Sequence, residues 1–291
     1  MPLIPPLFVQ APTRTSNTQS GTASGSVSAT FASNVTAGDL LIVFTVGENP
    51  DNTGGTLSLG SISDTLSSSW SRIVLSSVVI GTAPNTVTCT IAIWFAFANS
   101  SGANSVSVGW SSTGGNLKQL FLDIAEWKNV SLGGFDHLVS TASSSNPATT
   151  PTFTTSSNNE LLISCWFYQA LTGGSNSPAP WTVRVLAASP ATTLFDTGVG
   201  QAGNVTSLAL ANDGVPVQSY FASIAGFFAA PPTAVTRGNG FFEDYPGMPW
   251  MKNVAFLCRN YWDVGLSQPT VGQEWPVPNT GGAQSGKTYP Y

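Results

Sequence analysis

The sequence predicts an all-β protein: a single antiparallel β-sandwich with an approximate internal two-fold repeat, plus extended N- and C-terminal arms. Three observations carry that expectation. Charge is scarce, with 14 acidic and 9 basic residues making 8% of the 291, against about 25% in ordinary soluble domains. Long helices want Glu, Lys, Ala and Leu on their exposed faces, and no stretch of useful length shows helical periodicity. Short β-branched and aromatic runs instead alternate with Gly, Ser, Asn and Pro punctuation, the pattern of a sandwich or barrel. Finally, segments of the first half return in the second in the same order.

Residues 1–20 are rich in Pro, Thr and Ser and read as an extended N-terminal arm. The opening Met1-Pro2-Leu3-Ile4-Pro5-Pro6-Leu7-Phe8-Val9 has no positive region and three prolines, so it is not expected to be a secretory signal. The sandwich is expected over 21–230. Its first candidate strands are Gly25–Phe31, Asp39–Val46, Gly55–Ile62, Ser71–Val79, Thr86–Ala98, Ser105–Trp110 and Gln119–Trp127. Phe135–Ser140, Thr150–Thr154, Glu160–Tyr168, Thr182–Leu186, Thr192–Gly198, Asn204–Leu210 and Ser219–Phe228 follow.

The repeat rests on three pairs of segments. Gly38-Asp39-Leu40-Leu41-Ile42 matches Asn159-Glu160-Leu161-Leu162-Ile163, and Trp70-Ser71-Arg72-Ile73-Val74-Leu75 matches Trp181-Thr182-Val183-Arg184-Val185-Leu186. Gln119–Trp127 matches Ser219–Phe227. Neither half alone buries both faces of a two-layer core, so the two are read as one domain. Asp39 and Glu160, each just before a Leu-Leu-Ile run, are expected at solvent-exposed strand starts. Trp70 and Trp181 are expected as core anchors.

At Pro231-Pro232 the composition shifts. Residues 231–291 form an aromatic, Pro-rich C-terminal arm in which Phe241-Phe242-Glu243-Asp244-Tyr245-Pro246-Gly247-Met248-Pro249-Trp250 suits neither helix nor regular strand. Such a segment is expected to lie along a surface, preferably that of a neighbouring subunit. Phe241, Phe242, Tyr245, Trp250, Tyr261, Trp262 and Trp275 are the candidate partner-binding residues.

The composition excludes several functions. Disorder needs low hydrophobicity and high net charge; the chain is 42% hydrophobic with a net charge of −5. Nine scattered cations make no nucleic-acid footprint, and no apolar run approaches a membrane helix. Cys89, Cys165 and Cys258 show no metal-ligand spacing and are expected as three unpaired thiols. His137 is the one histidine, and no Gly-x-Ser-x-Gly elbow accompanies it. A carboxylate pair remains conceivable if the fold brings Asp39 to Glu160; Asp123 and Glu126, three apart in a strand, face opposite ways. Glu48-Asn49-Pro50-Asp51-Asn52 offers oxygen ligands without the EF-hand pattern and reads as a turn. No catalytic residue, cofactor or metal site is therefore assigned. Sugar binding would need exposed aromatics, with Trp94, Trp110, Trp166 and Trp181 as the candidates.

Several segments taken together resemble a known module. Asn34-Val35-Thr36-Ala37-Gly38-Asp39-Leu40-Leu41-Ile42, Trp70-Ser71, Asn104–Val108, Ile124-Ala125-Glu126-Trp127-Lys128-Asn129-Val130, Ser144–Pro147 and Glu160–Ile163 are similar to a recurrent β-sandwich module of tailed-phage virion proteins and bacterial surface proteins. Gly272-Gln273-Glu274-Trp275-Pro276 is similar to the C-terminal tails of phage structural proteins. The resemblance covers roughly 31–186. It implies a jelly-roll-like sandwich with a structural or adhesive role and carries over no catalytic residue. The expected function is thus a non-enzymatic virion structural protein, a capsid decoration or surface component made in the host cytoplasm. Its expected partners are its own subunits, with a trimer among the orders considered, and other virion proteins. The alternative is a carbohydrate- or receptor-binding module of a fibre or adhesin, with a surface glycan as partner. Neither reading involves nucleic acid or membrane.

Overall fold

The computed structural model describes residues 4–12, 14–20, 24–48, 56–82, 85–113, 117–144, 148–168, 179–187, 191–199, 201–210 and 219–230. The seven aromatic candidates of 231–291, and Cys258, lie outside them. Among the described residues there is no helix. The chain runs through β1 (Leu7–Gln10), β2 (Thr15–Ser20), β3 (Ser24–Thr30), β4 (Leu40–Glu48), β5 (Thr56–Asp64) and β6 (Ser71–Thr82). It continues with β7 (Asn85–Phe97), β8 (Ser105–Thr113), β9 (Leu117–Lys128), β10 (Val130–Ser143), β11 (Ala148–Thr149) and β12 (Phe153–Thr154). Then come β13 (Glu160–Tyr168), β14 (Thr182–Ala187), β15 (Ala191–Val199), β16 (Val205–Thr206), β17 (Ala209–Leu210) and β18 (Tyr220–Ala229). The protein is an all-β sandwich, and residues 1–232 form one compact unit.

Two sheets make its centre. The first has the order β1-β9-β4-β7-β6, with β2 following β1 along the same edge of β9. The second has the order β10-β18-β13-β15-β14. Every pairing is antiparallel. Their facing side chains interdigitate as one core: Leu40, Ile42, Phe44 and Val46 of β4 meet a layer that includes Leu161, Ile163, Cys165 and Phe167 of β13. Phe95 of β7 stacks on Phe135 of β10 at 5.3 Å and meets Phe227 of β18 edge-on at 5.5 Å.

Each central sheet is also covered on its outer face. A three-stranded sheet, β3-β8-β5, packs Val27, Ala29, Leu57, Val106, Val108 and Trp110 onto Leu41, Val43, Trp94 and Leu122 of the first. Two short ribbons, β11-β17 and β12-β16, with Trp181, cover Leu162, Trp166, Phe195 and Tyr220 of the second. The burial patterns follow from this layering. β8 alternates intermediate and buried along Ser105–Trp110 because one of its faces meets solvent, whereas β4 and β13 are buried at every position. A strand with both faces covered loses its polar alternation.

The matched sequence segments fall on β4 and β13, on β6 and β14, and on β9 and β18. These strands hold the same places in the orders β9-β4-β7-β6 and β18-β13-β15-β14. The turn before each Leu-Leu-Ile run is alike too: Gly38 has φ +85° and Asn159 φ +55°. Gly and Asn are the residues that tolerate this left-handed backbone.

The described part of residues 1–20, expected as an extended arm, is extended and pairs with β9. β1 pairs Leu7 with Lys128 and Phe8 with Trp127, and β2 pairs Thr15 through Ser20 with Leu122 through Leu117. β9 is twelve residues long, and an open edge of that length would expose a row of unpaired N–H and C=O groups. The polar N-terminal segment closes that edge within the chain.

Candidate functional site

Asp39 and Glu160 do not come together, and neither is solvent-exposed. Each is buried against a different acid of its own sheet. Asp39 is 9% exposed at the foot of β4 and hydrogen-bonds Glu126 of neighbouring β9, which is 0% exposed. Glu126 accepts from the Thr36 backbone N–H through Oε1 at 3.1 Å and from Gln10 Nε2 through Oε2 at 2.5 Å. The N-terminal strand β1 thus supplies a donor to the pair. Burial, the Glu126 hydrogen bond and its charge push the Asp39 carboxyl up to about 7, against the pull of Lys128.

Glu160 makes the corresponding pair in the second sheet, with Asp136 of β10. β18 lies between those two strands, and the contact is made over Gly226. A Cβ there would collide with Glu160 Oε1 and meet Phe153 Cζ at 2.5 Å, so only glycine leaves the side chain room to cross. The Glu160 Oε2 accepts from the backbone N–H groups of Ser156 and Ser157 at 3.1 and 3.4 Å. Burial and the hydrogen bond and charge of Asp136 push its carboxyl up to about 7, and the two backbone donors oppose that shift. Asp136 also meets His137 Nδ1 at 2.8 Å, and the imidazole stacks on Phe153 at 4.0 Å between ring centres.

A second set of polar groups joins the two central sheets. Trp127 Nε1 of β9 donates to Asp196 Oδ2 of β15 at 2.6 Å, and Arg184 Nε of β14 donates to Asp196 Oδ1 at 2.8 Å. The Arg184 guanidinium lies over the Phe8 ring, 4.4 Å from its centre. Thr192 of β15 donates to Asp123 of β9, which is 1% exposed. Burial raises the Asp123 carboxyl, and the Thr192 bond and the Arg14 charge restrain the rise. Arg14 itself lies 4.0 Å above the Phe121 ring. As the strand spacing requires, Asp123 points between the central sheets while Glu126 points to the outer side.

The remaining candidates have structural partners. Glu48 turns inward and accepts from Cys89 Sγ at 3.7 Å; Asn49–Asn52 of the turn lie outside the described residues. Burial raises the Glu48 carboxyl and both the Cys89 and Cys165 thiols, and both cysteines are unpaired. Among the described residues no group of three or more His, Cys, Asp or Glu is arranged to hold a metal ion. The four candidate sugar platforms are a correction to the expectation: Trp94, Trp110, Trp166 and Trp181 are 2%, 4%, 0% and 4% exposed. They fill the outer cores, where indole burial contributes more than display to solvent. Trp70 is partly buried against the outer core of the first sheet, and Trp181 belongs to that of the second.

Chemically, each acid pair retains a proton near neutral pH, as two close carboxyls must when both cannot ionise. A dyad that acts on a substrate has to reach it, and here Glu126 and Glu160 are fully enclosed. Glu126 also holds Gln10 of β1 and the turn before β4, and Glu160 holds the turn before β13, so the pairs tie the start of β4 to β9 and β13 to β10. No family model and no curated protein matches the chain.

Proposed function

We propose that the chain is a non-enzymatic structural protein of a virion, a capsid decoration or related surface component. It assembles with copies of itself and with other virion proteins through residues 231–291. One observation carries this reading: the acids with displaced titration and both described thiols are enclosed in strand-to-strand links, so the described sandwich invests its reactive groups in holding itself together. A sparsely charged scaffold of this kind suits a particle surface, and the module resemblance favours a virion. The N-terminal segment, already paired with β9, leaves 231–291 as the assembling arm. The glycan-binding alternative loses support with the burial of its four tryptophan platforms.

A chain ending at residue 230 tests the proposal. It is expected to stay folded by circular dichroism and to lose particle incorporation and the self-association made through 231–291. Unchanged assembly after this truncation contradicts the reading. A glycan array on the full chain is expected to be silent, and reproducible hits favour the adhesin reading.

A further inference from the structure

Three of the four edges of the central sheets are blunted in ways that discourage pairing with another chain. β1 and β2 are four and six residues long, with a register shift between Phe8 and Gln10. β14 has six residues and a shift between Val183 and Val185, where Arg184 sits. β10 is long, yet it breaks register twice between Val130 and Leu138 and carries Asp136 and His137 there. β6 has none of this beyond its start. After the shift between Arg72 and Val74 it pairs with β7 continuously to Thr82, with no charge and no proline. Among the described residues β7 is its only strand partner.

The face of β6 adds a second, independent observation. Val74 and Val78 point into the central core. On the opposite face Leu75 is 54% and Val79 53% exposed, with exposed Ser77 between them. Two large apolar side chains on an unblunted edge mark an assembly surface.

We propose that β6 pairs antiparallel with β6 of a second copy of this chain, about a two-fold axis through Ser77. The strand's own pattern identifies the occupant. Reversal about Ser77 sets Leu75 opposite the partner's Val79, and Val79 opposite the partner's Leu75. Each exposed apolar side chain then gains a direct cross-strand neighbour. Ser77 meets its own copy, and no charge within 74–82 opposes itself. A closed two-fold contact requires this self-complementarity, and the pairing joins the two first central sheets into one. The inference stands on the edge itself and holds whether or not the protein belongs to a virion.

Disulfide trapping tests it in the full chain carrying Cys258→Ser. Directly opposed residues of an antiparallel pair have Cα atoms about 4.5–5.5 Å apart, inside the roughly 4.4–6.8 Å span of a disulfide. Mild oxidation of Ser77→Cys is expected to give a covalent dimer, and Ser140→Cys on the β10 edge is expected to give none. No dimer from Ser77→Cys, or equal dimer from both, overturns the proposal. In the same full chain, Leu75→Lys with Val79→Lys is expected to halve the sedimentation mass while the circular dichroism spectrum stays that of the folded chain. An unchanged mass overturns the proposal as well. Assembly through 231–291 alone would survive both of those negative results, so the two readings fail separately.

Discussion

The two central sheets solve the same problem with different means. Among the described residues the first has its outer face covered by three strands, and the second by two-residue ribbons. Large rings fill the core beneath those ribbons. Among the described residues the outer core of the second sheet holds Phe153, Trp166, Tyr168, Trp181, Phe195 and Tyr220, against Phe31, Trp94 and Trp110 in the larger core of the first. The acid pairs differ in the same spirit. In the first sheet the second acid, Glu126, is on the adjacent strand β9. At the matched place on β18 stands Gly226, and the partner acid is recruited from one strand further away. The same kind of link is thus made in the second sheet by a glycine that leaves room for an acid to reach across the intervening strand.

This contrast predicts unequal sensitivity. Trp166 is fully enclosed, stacks on Tyr220 with centroids 5.8 Å apart, and donates to Ser164 at 2.8 Å. Trp166→Ala is expected to cost about 3–5 kcal/mol, and more than Trp94→Ala, whose cavity lies beneath a full sheet. Urea unfolding of the two variants makes the measurement, and a greater loss at Trp94 breaks the comparison. Gly226→Ala comes next. It forces Glu160 and Phe153 apart, at about 1–3 kcal/mol for an overpacked site, and displaces Glu160 from Asp136. Full stability in this variant would show that Glu160 does not need the gap. A smaller effect is expected at the seam: Trp127→Phe adopts the residue found at matched Phe227 and removes the donor to Asp196. Because Arg184 still holds Asp196, the loss is expected at about 0.5–1.5 kcal/mol, the worth of an ordinary hydrogen bond.

Much of the fold was legible in the residues. All fourteen candidate strands correspond to observed ones, with Thr150–Thr154 and Asn204–Leu210 each reduced to short ribbon segments. Alternation of Ser and Val announced β8. The strands missed were β1, β2 and the two-residue β11; Thr15-Ser16-Asn17-Thr18-Gln19-Ser20 of β2 carries no apolar period and gains its order from the vacant edge of β9. The outer layers were missed as well, although a signal was present: Leu40–Val46 and Leu161–Tyr168 are apolar on both faces, which a two-layer sandwich has no use for. For the site, the opposite facing of Asp123 and Glu126 follows from strand period alone. The pairing of Asp39 with Glu126 and of Glu160 with Asp136 depends on which strands are neighbours, and short-range pattern holds no record of that. Glu126 inside the run Ile124-Ala125-Glu126-Trp127 was the available hint, because a lone acid amid enclosed apolar residues needs a partner.

The central claim is that the acid pairs, each with one fully enclosed member, are structural links that retain protons to neutral pH. Asp39 and Glu160 titrate near 7 when folded and about 4 when unfolded. The folded chain therefore binds more protons between those values, so their contribution is whole below about pH 4 and is lost as pH rises through 7. Urea unfolding of the full chain from pH 4 to pH 8 compares the wild type with the Asp39→Asn, Glu160→Gln double variant. Asp123 and Glu48, also raised, contribute to both proteins alike. The wild type should lose stability across the window more steeply than the variant and should be the less stable of the two at pH 8. Parallel curves for the two proteins would contradict the claim.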